Sequence, residues 1–166
     1  MILARADTNK DSLKKEEVNL DAFLKEICLP YEDFAKAQDK EWSFHLEYGR
    51  EILLDKNKIH ELMVILLDNS IQYTETGDKI EIVTYEKEGK CIIAVKDTGI
   101  GITEETMKHM FERFYRADKA RSRQTGGSGL GLSIADYIVK LHGGTIKAAP
   151  NEEKGTILTI KLPRGL

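Results

Sequence analysis

Residues Ile80 to Val95 read IEIVTYEKEGKCIIAV. Two runs of apolar, mostly β-branched residues, Ile80-Glu81-Ile82-Val83 and Cys91-Ile92-Ile93-Ala94-Val95, flank a polar turn at Glu88-Gly89, and so predict two neighbouring strands. The second run ends in Asp97-Thr98-Gly99-Ile100-Gly101, a glycine-rich turn, with Thr103 placed to cap a short helix. Upstream, Ile59, Leu62, Met63, Leu66 and Leu67 recur at three and four, which predicts a helix from an N-cap at Asp55 to about Tyr73. Downstream, Leu130, Ile134, Ala135, Ile138 and Val139 mark another helix, stopped by His142-Gly143-Gly144.

Further out the pattern continues. Leu20, Phe23, Leu24, Ile27, Tyr31, Phe34 and Ala35 predict one amphipathic helix, kinked or restarted near Pro30. Trp42, Phe44, Leu46 and Tyr48 alternate with polar residues as a strand does, and Ile52-Leu53-Leu54 forms a short apolar segment. Thr145-Ile146-Lys147 and Thr156 to Ile160 supply closing strands. Two hairpin-like pairs among irregularly alternating elements predict an α/β two-layer sandwich, a mixed β-sheet covered on one face by about three helices. Residues 1–17 fit either the last turns of a helix with a charged linker or an unstructured terminus.

The chain has 166 residues, enough for one domain with a real core. Hydrophobic residues make up 41% and charged residues 32%, which places it with soluble globular domains. A net charge of −3 gives no global reason to expect nucleic acid or an anionic membrane, so any anionic ligand must be held by local features. Cys28 and Cys91 lie in apolar runs and read as buried thiols of a reducing compartment. The fragment is expected to be soluble, with no membrane span or signal peptide.

Several chemistries are absent from the sequence. There is no GxxxxGK[ST] loop, no HRD or DFG segment, and no His or Cys pair at metal-ligand spacing. His45, His60, His109 and His142 read as ordinary surface or structural residues. Two glycine clusters remain. In Asp97 to Gly101 the glycines allow close backbone approach, and a carboxylate at the strand end could accept from an exocyclic amine such as adenine's; a plain turn also fits. In Gly126-Gly127-Ser128-Gly129-Leu130-Gly131-Leu132 the loop feeds a helix N-terminus whose N–H groups suit a polyphosphate; a hinge also fits. Asn69 and Tyr73 lie four apart on the helix face opposite the apolar stripe. Asn is unfavourable in mid-helix, and its carbonyl could face a hard cation such as Mg²⁺.

Together, and in this order, these segments resemble the N, G1, F and G2 boxes of the histidine-kinase branch of an ATPase superfamily shared with gyrase B subunits, mismatch-repair ATPases and heat-shock chaperone ATPases. Leu66 to Ser70 resembles the N box, Asp97 to Gly101 the G1 box, Phe111-Glu112-Arg113-Phe114-Tyr115-Arg116-Ala117-Asp118 the F box and Gly127 to Gly131 the G2 box. The F box points to sensor histidine kinases in particular.

The resemblance implies an ATP-binding catalytic domain over 18–166 with a mobile ATP lid, and a dimerisation-helix end with linker over 1–17. Asp97 would bind the adenine amine and Gly99 and Gly101 would shape its pocket. Asn69 would coordinate Mg²⁺, Tyr73 would flank the nucleotide, and Arg116, Ser128, Gly129, Leu130 and Gly131 would hold the phosphates. Lys119, Arg121 and Arg123 would belong to the lid, and Phe111, Phe114 and Tyr115 would pack near it. The reaction implied is transfer of the ATP γ-phosphoryl to a histidine, then to an aspartate of a response regulator receiver domain. None of the histidines here sits in the family's phospho-acceptor motif, so the acceptor is expected on a separate dimerisation domain. The parent is expected to be a homodimer anchored in a bacterial plasma membrane, with this part cytoplasmic. Two positions depart from the pattern: Ile65 stands where a second polar residue is common, and Gln72 where a basic one is. The alternative reading is a degenerate nucleotide-binding module serving as a protein-interaction platform.

Overall fold

A computed structural model describes residues 13–113, 115 and 131–165. In order these form β1 (Glu16–Asn19), α1 (Leu20–Ala37), β2 (Glu41–Leu46), β3 (Glu51–Leu54), α2 (Lys56–Gln72), β4 (Lys79–Lys87), β5 (Lys90–Asp97), α3 (Glu104–His109), α4 (Gly131–Leu141), β6 (Thr145–Pro150) and β7 (Thr156–Pro163).

Five strands make one sheet in the order β2-β4-β5-β7-β6. β2 runs parallel to β4 and every other neighbour is antiparallel, so the sheet is mixed, as predicted. The helices cover one face. Ile80, Ile82, Ile93, Val95, Leu158 and Ile160 point inward along their strands by the two-residue period, and meet Ile59, Leu62, Met63 and Leu66 of α2, Leu24 and Ile27 of α1, and Ala135, Ile138 and Val139 of α4. Cys28 and Cys91 are fully buried free thiols in this core, each pushed up to about 12 chiefly by burial.

α1, α2 and α3 each begin where the sequence offers a cap. Asn19, Asp55 and Thr103 accept from the N–H groups of Ala22, Lys58 and Thr106, each at 3.1 Å. The expected break at Pro30 does not restart the helix: α1 runs unbroken from Leu20 to Ala37. Pro30 and Glu26 both lie on the exposed side, so the carbonyl deprived of its partner can bond water. Phe34, counted in the buried stripe, is instead 50% exposed, because Ala35 takes the inward position of that turn.

A second, small sheet was not foreseen. β1 pairs antiparallel with β3, and Val18, Ile52 and Leu54 enter the core. Glu16 and Glu17, predicted to close a linker, are its first residues. The expected helix end falls among residues 1–12, outside the described residues. Among the described residues no helix is long and apolar enough to cross a membrane.

Candidate functional site

The site is built at the end of β5. Asp97 is the last residue of that strand, pairs with Thr156 of β7, and is only 3% exposed. Two backbone N–H groups donate to its Oδ1, that of Gly99 at 2.9 Å and that of Thr156 at 3.3 Å. Among the described residues nothing donates to Oδ2. Burial pushes the carboxyl up to about 6, the charge of Asp78 adds to this, and the two N–H groups oppose it. The strand thus ends in a fixed carboxylate with one oxygen anchored and the other open.

Glycines make that placement possible. A Cβ on Gly99 would lie 2.0 Å from the Tyr73 carbonyl oxygen, so the turn and the end of α2 touch backbone to backbone. Ile100 N–H donates to the same carbonyl at 3.1 Å. Tyr73 is the C-cap of α2, and its own N–H returns to the Asn69 carbonyl at 3.1 Å. The helix carrying Asn69 is therefore fixed relative to the turn carrying Asp97 through backbone contacts alone. A Cβ on Gly101 would stand 3.5 Å from the Gly155 carbonyl, which puts the turn beside the entry to β7.

Three contributors escaped the sequence reading. Gly155 has φ of +103, and a Cβ there would meet the Asp97 carbonyl at 1.9 Å. Thr156 supplies the second N–H to Oδ1. Asn151 donates from Nδ2 to the Asp97 carbonyl at 2.9 Å, and its N–H donates to the Gly155 carbonyl at 3.0 Å. The signal available was the Gly155-Thr156 step opening a strand, which read only as a strand start.

Among the predicted residues, Asp97, Gly99, Gly101 and Tyr73 come together here. Asn69 is half-buried on α2 one turn before Tyr73. Gly131 opens α4, and a Cβ there would lie 3.6 Å from Ile65 Cγ2, one turn before Asn69, so the start of α4 borders the same helix. Ile65 is partly buried and packs on the core. Arg116, Ser128, Gly129 and Leu130, the lid residues Lys119, Arg121 and Arg123, and Phe114 lie outside the described residues. Phe111 packs against the core, and Tyr115 sits 5.6 Å from the His109 ring.

Among the described residues no group of three metal-ligating side chains exists. A depression of about 590 Å³ lined by Phe34, Lys40, Ile71 and Thr74 holds none of the predicted site residues, and its Lys40 Nζ donates to the Ile71 carbonyl at 3.0 Å.

The family model for the histidine kinase-, DNA gyrase B- and HSP90-like ATPases matches residues 54–166. The sensor protein CiaH of Streptococcus pneumoniae is 38% identical over 96% of the chain, which spans 36% of that protein. The sensor protein SrrB of Staphylococcus aureus is 36% identical over 98% of the chain, which spans 28% of it. The chain thus covers about a third of the length of these relatives. The solved catalytic domain of the histidine kinase ThkA superposes with a TM-score of 0.81 at 26% identity, over 92% of this chain and 97% of that one. On the matched residues and the shared fold, the chain belongs to the family of histidine kinase-, DNA gyrase B- and HSP90-like ATPases.

Proposed function

We propose that this chain is the ATP-binding catalytic domain of a sensor histidine kinase, presenting ATP for transfer of its γ-phosphoryl to a histidine on a dimerisation domain, for relay to a response regulator receiver domain. The observation that carries the reading is the buried Asp97, with Oδ1 held by two N–H groups and Oδ2 open to a donor. An exocyclic amine of adenine is such a donor, and Gly99, pressed on the Tyr73 carbonyl, holds the end of α2 against the turn that carries Asp97. The relatives CiaH and SrrB are named sensor proteins and the ThkA domain that superposes is named the catalytic domain of a histidine kinase, and together these names support the reading.

Asn69, Gly131 and, outside the described residues, Arg116, Ser128, Gly129 and Leu130 take the phosphate end of this reading. Mg²⁺ fits a site with few protein ligands, because it keeps waters and binds through phosphate oxygens. Asn69 Oδ1 would be its protein ligand, and the ion would neutralise charge on the phosphates. The chain's own part is positioning: Asp97 sets the base, and α2 and the start of α4 set the direction of the phosphates. The division into 1–17 and 18–166, a homodimeric parent and its anchoring in a bacterial membrane belong to the same proposal.

The test is titration with a non-hydrolysable ATP analogue, with and without Mg²⁺, followed by incubation of the chain with labelled ATP and a separately made dimerisation domain. Nucleotide binding with label appearing only on the added domain is the expected outcome. Binding without any transfer would favour the degenerate module, for which the apolar packing of Ile65 is the structural argument. Acid-labile label on this chain alone would overturn the assignment.

A further inference from the structure

The helices cover one face of the five-stranded sheet, and the other face carries the charge that the composition conceals. Alternation along β4 sends Ile80 and Ile82 into the core, and places Lys79 and Lys87 on the far side. By the same register β5 presents Lys90 and Lys96 there, β7 presents Lys161, and β6 presents Lys147. Five of these lysines are exposed and Lys96 is half-buried. Among the described residues none of the six is in an ion pair. Two acids share the face, Glu41 and Glu81, and Glu81 already lies 3.1 Å from His45 Nε2. A chain of net charge −3 thus turns one strongly basic plane outward.

We propose that this uncovered sheet face docks on an anionic lipid bilayer. Spread is the first reason. Lys79 and Lys87 are eight residues apart, about 26 Å along a strand, and β4 to β6 spans roughly 14 Å across it. Ammonium groups so far apart cannot converge on one phosphate, but all of them can meet a charged plane. Residue type is the second reason. Every strand cation on this face is lysine, a hydrated point charge without the planar fork of arginine, which suits a diffuse anionic surface and is depleted in protein interfaces. The third reason is an aromatic residue among the lysines. Tyr85 is 38% exposed on this face of β4, with Val83 partly exposed beside it and Lys87 two residues on, and tyrosine is at home at headgroup level. The face does not include Asp97, which points to the helix side with Ile93 and Val95.

The experiment is co-sedimentation of the 166-residue chain with vesicles of phosphatidylcholine alone or mixed with phosphatidylglycerol, at low and high salt. Binding to the mixed vesicles only, lost at high salt, is expected, because exposed charges are screened beyond about 8–10 Å. Each neutralised lysine should weaken partitioning roughly fivefold, so Lys90→Gln, Lys147→Gln and Lys161→Gln together should weaken it about a hundredfold. The matching lysine-to-arginine set should retain binding, and circular dichroism and ATP-analogue affinity should stay unchanged in both. Should the triple variant misfold, Lys161→Gln alone reads the same fivefold step. Failure to bind phosphatidylglycerol vesicles would overturn the proposal. So would full binding by a folded glutamine variant, or tighter binding to duplex DNA or polyaspartate than to vesicles at equal anionic charge.

Discussion

Asp97 and His142 are both buried ionisable groups at the ends of secondary-structure elements, and their surroundings differ in one respect. His142 follows α4 and is 5% exposed. Its Nδ1–H donates to the Ile138 carbonyl at 2.9 Å, and Nε2 accepts the Asp55 N–H at 3.2 Å. Both ring nitrogens are used, in one tautomer, by the neutral ring. Asp55 in turn caps α2 through Oδ1 and accepts the Lys14 N–H on Oδ2 at 3.1 Å. Asp97 has one oxygen used twice and the other left open. Burial moves both groups toward their neutral forms, lowering His142 and raising Asp97 to about 6. A saturated group joins elements together, whereas an open acceptor at the same depth is held ready for something else. That difference separates structure from site.

The largest effect expected breaks the Asp97 side by steric means. Gly155→Ala places a methyl 1.9 Å from the Asp97 carbonyl at a φ of +103. Overpacking and backbone strain together should cost about 3–5 kcal/mol, a fall in Tm of roughly 10 °C or more. A thermal melt within 3 °C of the parent would mean that the β5–β7 contact is looser than this packing implies.

Next in size is the saturated group. His142→Ala leaves the buried Asp55 N–H without an acceptor and opens a small void, costing about 2–4 kcal/mol. ATP-analogue affinity should not change, because no site residue is touched. The pH dependence follows from the lowered pKa. The folded state keeps His142 neutral where the unfolded chain protonates, so stability is full above about pH 6.5 and falls as pH drops below it. Urea melts from pH 7.5 to 5 should show that slope in the parent and a shallower one in the variant. A loss of nucleotide affinity with unchanged stability would reverse the roles assigned to the two groups.

Asp97→Asn is the reciprocal experiment. The amide can still accept the Gly99 and Thr156 N–H groups on Oδ1, so the fold should persist, while the open acceptor is replaced by a donor. Losing a charged hydrogen bond to the ligand costs about 1.5–3 kcal/mol, hence a Kd roughly tenfold to a hundredfold higher. The stability sign is opposite to that of His142. A raised carboxyl contributes most below pH 3.8 and loses that contribution as pH rises through about 6, so the substitution should leave stability at pH 7.5 equal or higher. Affinity should fall as acid protonates Asp97 below about pH 6, and that fall should be missing in Asp97→Asn. Calorimetry across pH 5 to 8 reads both.

The same distinction explains what the sequence could disclose. Long elements were legible because their apolar periods are local: α2 from Asp55 to Tyr73, and the β4–β5 hairpin about Glu88-Gly89, stand where the residues predict them. The β1–β3 pair was hidden because Glu16 to Asn19 has a single core residue, and its partner lies far along the chain. Asp97 could be singled out because carboxylate and glycines adjoin in sequence. Thr156, Gly155 and Asn151, more than fifty residues away, contribute backbone groups or an amide whose role exists only once β7 lies beside β5. The basic sheet face was illegible for a related reason: its six lysines are dispersed over four strands, and only register gathers them.

The smallest effect concerns Ile65, where the two kinds of environment meet. Its place one turn before Asn69 suggests a polar partner for Mg²⁺, and Ile65→Asn would then tighten Mg-ATP binding. The packing argues otherwise. Ile65 is partly buried, rests on the core, and points Cγ2 toward the first residue of α4, leaving 3.6 Å to a methyl built on Gly131. An amide there exchanges apolar contact with the core for a polar group at a partly buried position. The cost should be about 1–2 kcal/mol, at the lower end for an unsatisfied polar group because the position keeps some access to water. A melt with and without Mg-ATP separates the readings. An apo Tm lower by a few degrees, with the same increment on adding Mg-ATP as in the parent, is the expected result. An increment larger than the parent's that vanishes with a metal chelator would place position 65 with the open groups, and would make Ile65 a loss of function rather than a piece of the core.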